Sequence, residues 1–140
     1  MAKKFADLTA FIPRIKDDSF GEWFIDREND GTPEHPKQMP FVNYTRVVDQ
    51  FINTLYAYCE AHPEYEHTKY GHTLESLGIE WGSTSMEQAD VSDMEAKGVI
   101  ALLIGAVRAE RFCDGALLAF FQEGCILRWL ERLAVIDSQT

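Results

Sequence analysis

The chain has 140 residues, 46% of them hydrophobic and 12% aromatic, which is enough for one core without disulfide or metal staples and excludes a disordered chain. Its net charge of −10 disfavours direct binding to nucleic acid or adhesion to anionic membranes, because both partners are polyanions. Three irregularly spaced cysteines, Cys59, Cys113 and Cys125, fit free thiols in a reducing compartment rather than a secreted disulfide framework, so a cytoplasmic protein is expected.

Met1-Ala2-Lys3-Lys4-Phe5 has no apolar run behind its lysines, so no signal peptide is expected. Phe5, Leu8, Phe11, Ile12 and Ile15 then follow helical spacing over residues 4–16, with Pro13 expected to end or bend this first helix. Asp17-Asp18-Ser19 breaks it before the aromatic cluster Phe20-Gly21-Glu22-Trp23-Phe24. Residues 26–40 read as an irregular loop, since Asp30-Gly31 is a turn signal and Pro33, Pro36 and Pro40 forbid a continuous helix. From Phe41 the apolar positions Tyr44, Val47, Val48, Phe51, Ile52, Leu55, Tyr56 and Cys59 predict a long amphipathic helix over 41–61, closed by Pro63.

A short helix carrying Tyr70, Leu74 and Leu77 is expected to stop at Gly78, followed by a loop whose Trp81 plugs the core. Ser92-Asp93-Met94-Glu95 reads as a capping box opening a helix that runs to about Cys113. From Val99 to Val107 that helix has no charge on any face, so other elements must surround it; nine residues are too few to span a bilayer. Its stripe Gly98, Ala101 and Gly105 would let another helix backbone approach closely. Gly115 stops it, 116–122 forms a short helix, Gly124 breaks that, and Ile126, Trp129, Leu130 and Leu133 mark a last helix before a polar tail from Ile136. No strand pair stands out. The expected fold is all-α, a bundle of five or six helices in one domain over residues 1–140.

The charge is concentrated in the middle. Residues 60–96 hold nine acidic side chains against Lys69 alone, a face suited to solvent or to a basic protein partner. The C-terminal end of the apolar helix carries Arg108, Glu110, Arg111 and Asp114. At 100° per residue the two acids lie about 40° apart and the two arginines about 60° apart, giving the helix end an acidic and a basic edge. Arginines suit a helix C-terminus and carboxylates do not, so Glu110 is expected to be held by a specific donor. The block is either an ion network tying the 115 turn to the last helices or the floor of a polar pocket. In the pocket reading Arg108 or Arg111 grips an anion beside Glu110, and Trp23 and Tyr44 form the walls.

Other chemistry is poorly supported. His62, His67 and His72 are spaced by five and do not share a helix face, and Cys113 and Cys125 match no zinc spacing, so no metal is expected. Ala116–Leu133 has the outline of a helix-turn-helix, but the bulky Phe120 and the acidic chain favour plain core packing. No phosphate loop, nucleophile elbow or zinc-protease motif occurs, and no cofactor is expected.

Ile104-x-x-Val107-Arg108-Ala109-Glu110-Arg111-Phe112-Cys113-Asp114-Gly115-Ala116-Leu117-Leu118, followed by Gly124-x-Ile126-x-x-Trp129-Leu130-x-Arg132-Leu133, resembles a family catalogued as domain of unknown function 6508, in small proteins of bacteria and their phages or mobile elements. Phe20-Gly21-x-Trp23 and Pro40-Phe41-Val42-x-Tyr44 are similar to its N-terminal elements. The resemblance implies a cytoplasmic accessory protein linked to phages or plasmids, and it assigns no catalytic role to any residue. Two functions of different class stay open. One is a non-enzymatic module that binds a protein or a small ligand through the acidic 60–96 region or the 20–44 loop, a phage-type inhibitor mimicking nucleic-acid charge being one version. The other is a small enzyme or ligand-binding protein built around Arg108, Glu110 and Arg111. A homodimer through leftover aromatic surface is a further expectation.

Overall fold

A computed structural model describes residues 4–17 and 19–139. Met1–Lys3, Asp18 and Thr140, where the N-terminal, polar-break and tail readings partly fall, lie outside the described residues. The expected all-α bundle of five or six helices needs correction. The molecule is mostly helical, but its helices are more numerous and shorter, and a two-stranded antiparallel sheet joins them.

In chain order, α1 (Ala6–Thr9) and α2 (Ile12–Asp17) replace the single first helix. Pro13 occupies the first turn of α2, where its missing N–H loses no bond, so it opens the second helix instead of ending the first. Strand β1 (Gly21–Phe24) pairs with β2 (Phe41–Tyr44) in the register Gly21 opposite Tyr44 and Phe24 opposite Phe41. The residues 41–44 expected to start the long helix are therefore strand. β-Branched and aromatic side chains follow Pro40 there, and they favour the extended chain. Gly21 permits the pairing, because a Cβ at that position would sit 2.9 Å from the Asn43 carbonyl oxygen. The Phe24 and Phe41 rings stack across the ribbon at 4.9 Å.

The long helix is α3 (Arg46–Ala61), with Val47, Val48, Phe51, Leu55, Tyr58 and Cys59 on its buried face. Two short 3₁₀ turns, Pro63–Tyr65 and His67–Lys69, lead into α4 (Tyr70–Ser76), which stops before Gly78 as expected. α5 (Ser83–Glu87) precedes α6 (Ala96–Ala109), where every residue from Gly98 to Val107 is buried. α7 (Ala116–Gln122) and α8 (Cys125–Ser138) complete the chain, α8 extending through most of the expected tail. α4, α7 and α8 pack around α6, and α1 and α2 close the other side of α8. Leu102, Leu103, Ile104, Phe51 and Trp129 share one apolar cluster with Phe5 and Leu8. Among the described residues no helix is long and apolar enough to cross a membrane.

Three local expectations fail for physical reasons. Ser92 does not cap α6: its hydroxyl and amide both bond to Asp90 Oδ1, at 2.7 and 2.9 Å, and Glu95 takes the cap position. Trp81 is a half-exposed cover rather than a plug, its indole N–H donating to the Gly105 carbonyl at 3.0 Å. The glycine stripe of α6 is met by side chains instead of a helix backbone. A Cβ at Gly98 would lie 2.8 Å from Leu77 and Met94, and one at Gly105 would lie 3.0 Å from Met86.

The loop between the strands is organised by Asp26, which is buried. Its Oδ2 accepts the Gln38 amide at 2.7 Å and the Asn29 side-chain amide at 3.0 Å, while Oδ1 accepts the amides of Glu28 and Asn29 at 3.1 Å. These donors, Gln38 first, hold its carboxyl well below the usual carboxylate range.

Two outcomes are expected. Leu103→Ala should lower stability by about 2–5 kcal/mol in denaturant melts, since it empties a fully buried site. Because the ionised Asp26 is the bonded form, its contribution is present above the ordinary value of 3.8 and is lost as pH falls through the depressed one. Hydrogen exchange at the Gln38 amide should therefore accelerate in acid, relative to the intrinsic rate, and Asp26→Asn should remove most of that pH dependence.

Candidate functional site

The chain leaves α6 at Ala109 and turns back through residues 110–115 into α7. Gly115 makes that reversal with φ +89°, a left-handed conformation that favours glycine. It also lies directly under the Trp23 ring, where any Cβ would collide. The N-terminal ribbon therefore rests on the turn through an aromatic face.

A helix start leaves its first amides without intrahelical acceptors, and glycine at the cap of α7 offers no side chain to take them. Glu110 supplies the acceptor from across the turn. Its two carboxylate oxygens accept the Gly115 amide at 3.1 Å each, and Oε1 also accepts the Leu117 amide at 3.0 Å. The Ala116 amide bonds to the Cys113 carbonyl. The Leu118 amide donates to the Tyr44 hydroxyl at 3.0 Å, and that hydroxyl donates to Glu110 Oε1 at 2.6 Å. Every amide from Gly115 to Leu118 is thus paired. The charge that looked misplaced at the C-terminus of α6 stands at the N-terminus of α7, where the helix dipole favours it.

Tyr44 is half-buried, and burial together with the neighbouring carboxylate pushes its phenol well above the usual range, so it stays a neutral donor. The ribbon is fixed on its other side by the Thr45 amide on the Phe20 carbonyl and by the Thr45 hydroxyl on the Ser19 carbonyl at 2.7 Å.

Of the residues expected to form a pocket, Tyr44, Glu110 and Trp23 come together at this turn. The arginines take no part in the Glu110 bonds. Arg108 is half-buried with its guanidinium 6.0 Å over the Tyr56 ring, and its Nε has no hydrogen-bond partner among the described residues. Arg111 is exposed, as are its neighbours Cys113 and Asp114. Phe112 is 76% exposed and meets Trp81 edge-on at 5.4 Å. Trp23, Phe24, Ile25 and Met39 add exposed apolar area at the ribbon end.

The 60–96 segment forms the second candidate. Glu60, Glu75, Glu80, Asp90, Asp93 and Glu95 are all exposed. Two ion pairs are formed among the described residues, His62 with Glu64 at 3.2 Å and Lys97 with Glu66 at 3.6 Å, so most of this charge is uncompensated. His62 is further committed to a stack on Tyr58 at 4.3 Å. Burial pushes the Cys59 thiol up to about 11, which makes it unreactive packing. Two arginines of α8 reach into the neighbouring segment: Arg128 donates to the Glu87 carbonyl at 2.7 Å and Arg132 to the Met94 carbonyl at 2.9 Å. Sequence reading missed this clamp. Its signal is the i,i+4 spacing of Arg128 and Arg132 beside the apolar stripe of α8.

Tyr44→Phe is expected to lower stability by about 1–2 kcal/mol, and a double-mutant cycle with Glu110→Gln should show coupling, because both changes strip acceptors from the same helix start. Additive effects in denaturant melts would separate the two residues and contradict the shared cap.

Residues 1–139 match the model of a family of unknown function, DUF6508, and the chain belongs to that family. No curated protein and no solved structure matches it. Three segments that carry the resemblance, 20–23, 40–44 and 108–118, meet at the Glu110 turn.

Proposed function

We propose that this family member is a non-enzymatic accessory module of the cytoplasm that binds a basic partner protein through the acidic surface of residues 60–96. The observation carrying this reading is the exposure of Glu75, Glu80 and Asp93 with no ion pair among the described residues to neutralise them. Carboxylates concentrated in this way steer a cationic partner and repel phosphate backbones, which supports protein over nucleic acid. A charge-mimicking inhibitor from a phage or mobile element is one concrete form of such a module. The catalytic alternative has weaker support, since Glu110 is engaged by two amides and a phenol that together cap a helix.

The exposed Trp23, Phe24, Ile25 and Met39 favour a second contact, self-association through the ribbon end. Sedimentation of the protein at rising concentration checks this, and a strictly monomeric species would remove it.

For the main reading, the test is capture of a partner by the immobilised protein over a salt series. Capture should fall at least about tenfold between 0.05 and 0.5 M salt, because exposed charges are screened over that range. Glu80→Lys combined with Glu87→Lys should weaken it at every salt concentration. Retention that ignores both salt and the charge reversals would contradict the acidic-surface reading.

A further inference from the structure

Three adjacent depressions, of about 400, 390 and 420 Å³, run from α4 across the 89–95 segment to α8. They share walls: Leu77, Asp93 and Met94 line the first and second, and Ala89, Asp90 and Ser92 line the second and third. The three form a trough of neighbouring depressions along the 89–94 segment, and their combined length suits a stretch of polypeptide better than a compact small molecule.

The floor is apolar. Leu77 and Met94 close over the buried Gly98, where a Cβ would lie 2.8 Å from each. Leu77 remains 47% exposed and Val135, at the far end, 44% exposed. The rim is acidic, with Asp90, Asp93 and Glu95 along one side and Glu131 at the α8 end. Lys97 pairs with Glu66, whereas Arg128 and Arg132 donate to backbone carbonyls and keep their charge at the α8 end, so the acids in excess are Asp90, Asp93 and Glu95 on the α4 side.

We infer that this trough is the docking groove for a basic amphipathic segment of the partner protein, with its lysine or arginine side chains facing Asp90, Asp93 and Glu95 and its apolar side chains resting on Leu77 and Met94. The inference rests on the proposed acidic-surface function and locates it. Charge complementarity selects the occupant: an acidic segment would be repelled along the rim, and a purely polar basic one would leave Leu77 in water. The Arg128 and Arg132 bonds hold the 87–94 wall in place, so the groove is formed before the segment arrives, which lowers the ordering cost of binding.

The test uses the full chain and fluorescence anisotropy with three labelled dodecapeptides: amphipathic lysine/leucine, lysine/serine of equal charge, and glutamate/leucine. The lysine/leucine peptide should bind about tenfold more tightly than the lysine/serine peptide, and Leu77→Ser should erase that advantage. Leu77 is half-exposed, so this change leaves the core intact, and circular dichroism of each variant verifies the fold. Asp93→Lys with Glu131→Lys should weaken binding about tenfold, while the charge-matched pair Glu28→Lys with Glu34→Lys, exposed in the loop between the strands and outside the 60–96 surface, should change it less than about twofold. Equal weakening by both pairs, or an unchanged leucine preference in Leu77→Ser, would overturn the groove while leaving the acidic-surface reading standing. Absence of salt-sensitive binding by either lysine peptide would overturn both.

Discussion

Burial of α6 around its whole circumference is the constraint on which the rest of the molecule depends. A helix apolar on every side cannot sit at a surface, so α4, α7 and α8 must surround it, and the chain has to be cut into short helices to do so. Each short helix brings a new set of unpaired terminal amides and carbonyls, and those ends decide where polar side chains are needed inside the fold. The positions of Glu110 and Asp137 follow from this demand, and Asp26 meets the same need for the amides of the loop between the strands. Each carboxylate accepts backbone amides that secondary structure leaves open.

Two carboxylates show the logic most clearly. Glu110 follows the last residue of α6 and Asp137 lies in the last turn of α8, both unfavourable places with respect to their own helix dipoles. Each belongs electrostatically to a different element. Glu110 receives the opening amides of α7, and Asp137 receives the amides of Lys4 and Phe5 at 3.0 Å. The carboxylate in each case ties an end of a buried helix to the start of the next element in space. Tyr44 extends the first of these ties to the ribbon, and Tyr58 supports the second by donating to the Lys4 carbonyl.

With these acids committed inside, the remaining negative charge is free to serve the surface. It is segregated: the side chains that hold the fold are hydrogen-bonded, whereas those of the 60–96 segment face solvent beside exposed apolar area at Leu77.

Much of the helical framework is legible in the sequence, because a period of three to four apolar residues over α3, α6 and α8 survives any detail of packing. The breaks at Gly78, Gly115 and Gly124 are legible for a similar reason, since each glycine permits a positive φ that ends a helix. The need for a donor at Glu110 is also legible from the dipole argument, although the donors themselves are not. The ribbon is invisible to pattern reading: its strands are four residues long and lie sixteen residues apart. What holds them is the fit of Gly21 against Asn43 within the ribbon and of Trp23 over Gly115, the second a contact with the distant turn between α6 and α7. The trough is likewise a product of three segments converging. Local periodicity thus determined where the long helices lie and which face of α3 and α8 is apolar, but not that residues 41–44 are strand. Tertiary structure alone decided which amide each carboxylate serves, because a hydrogen bond depends on position in space and the sequence records only order along the chain.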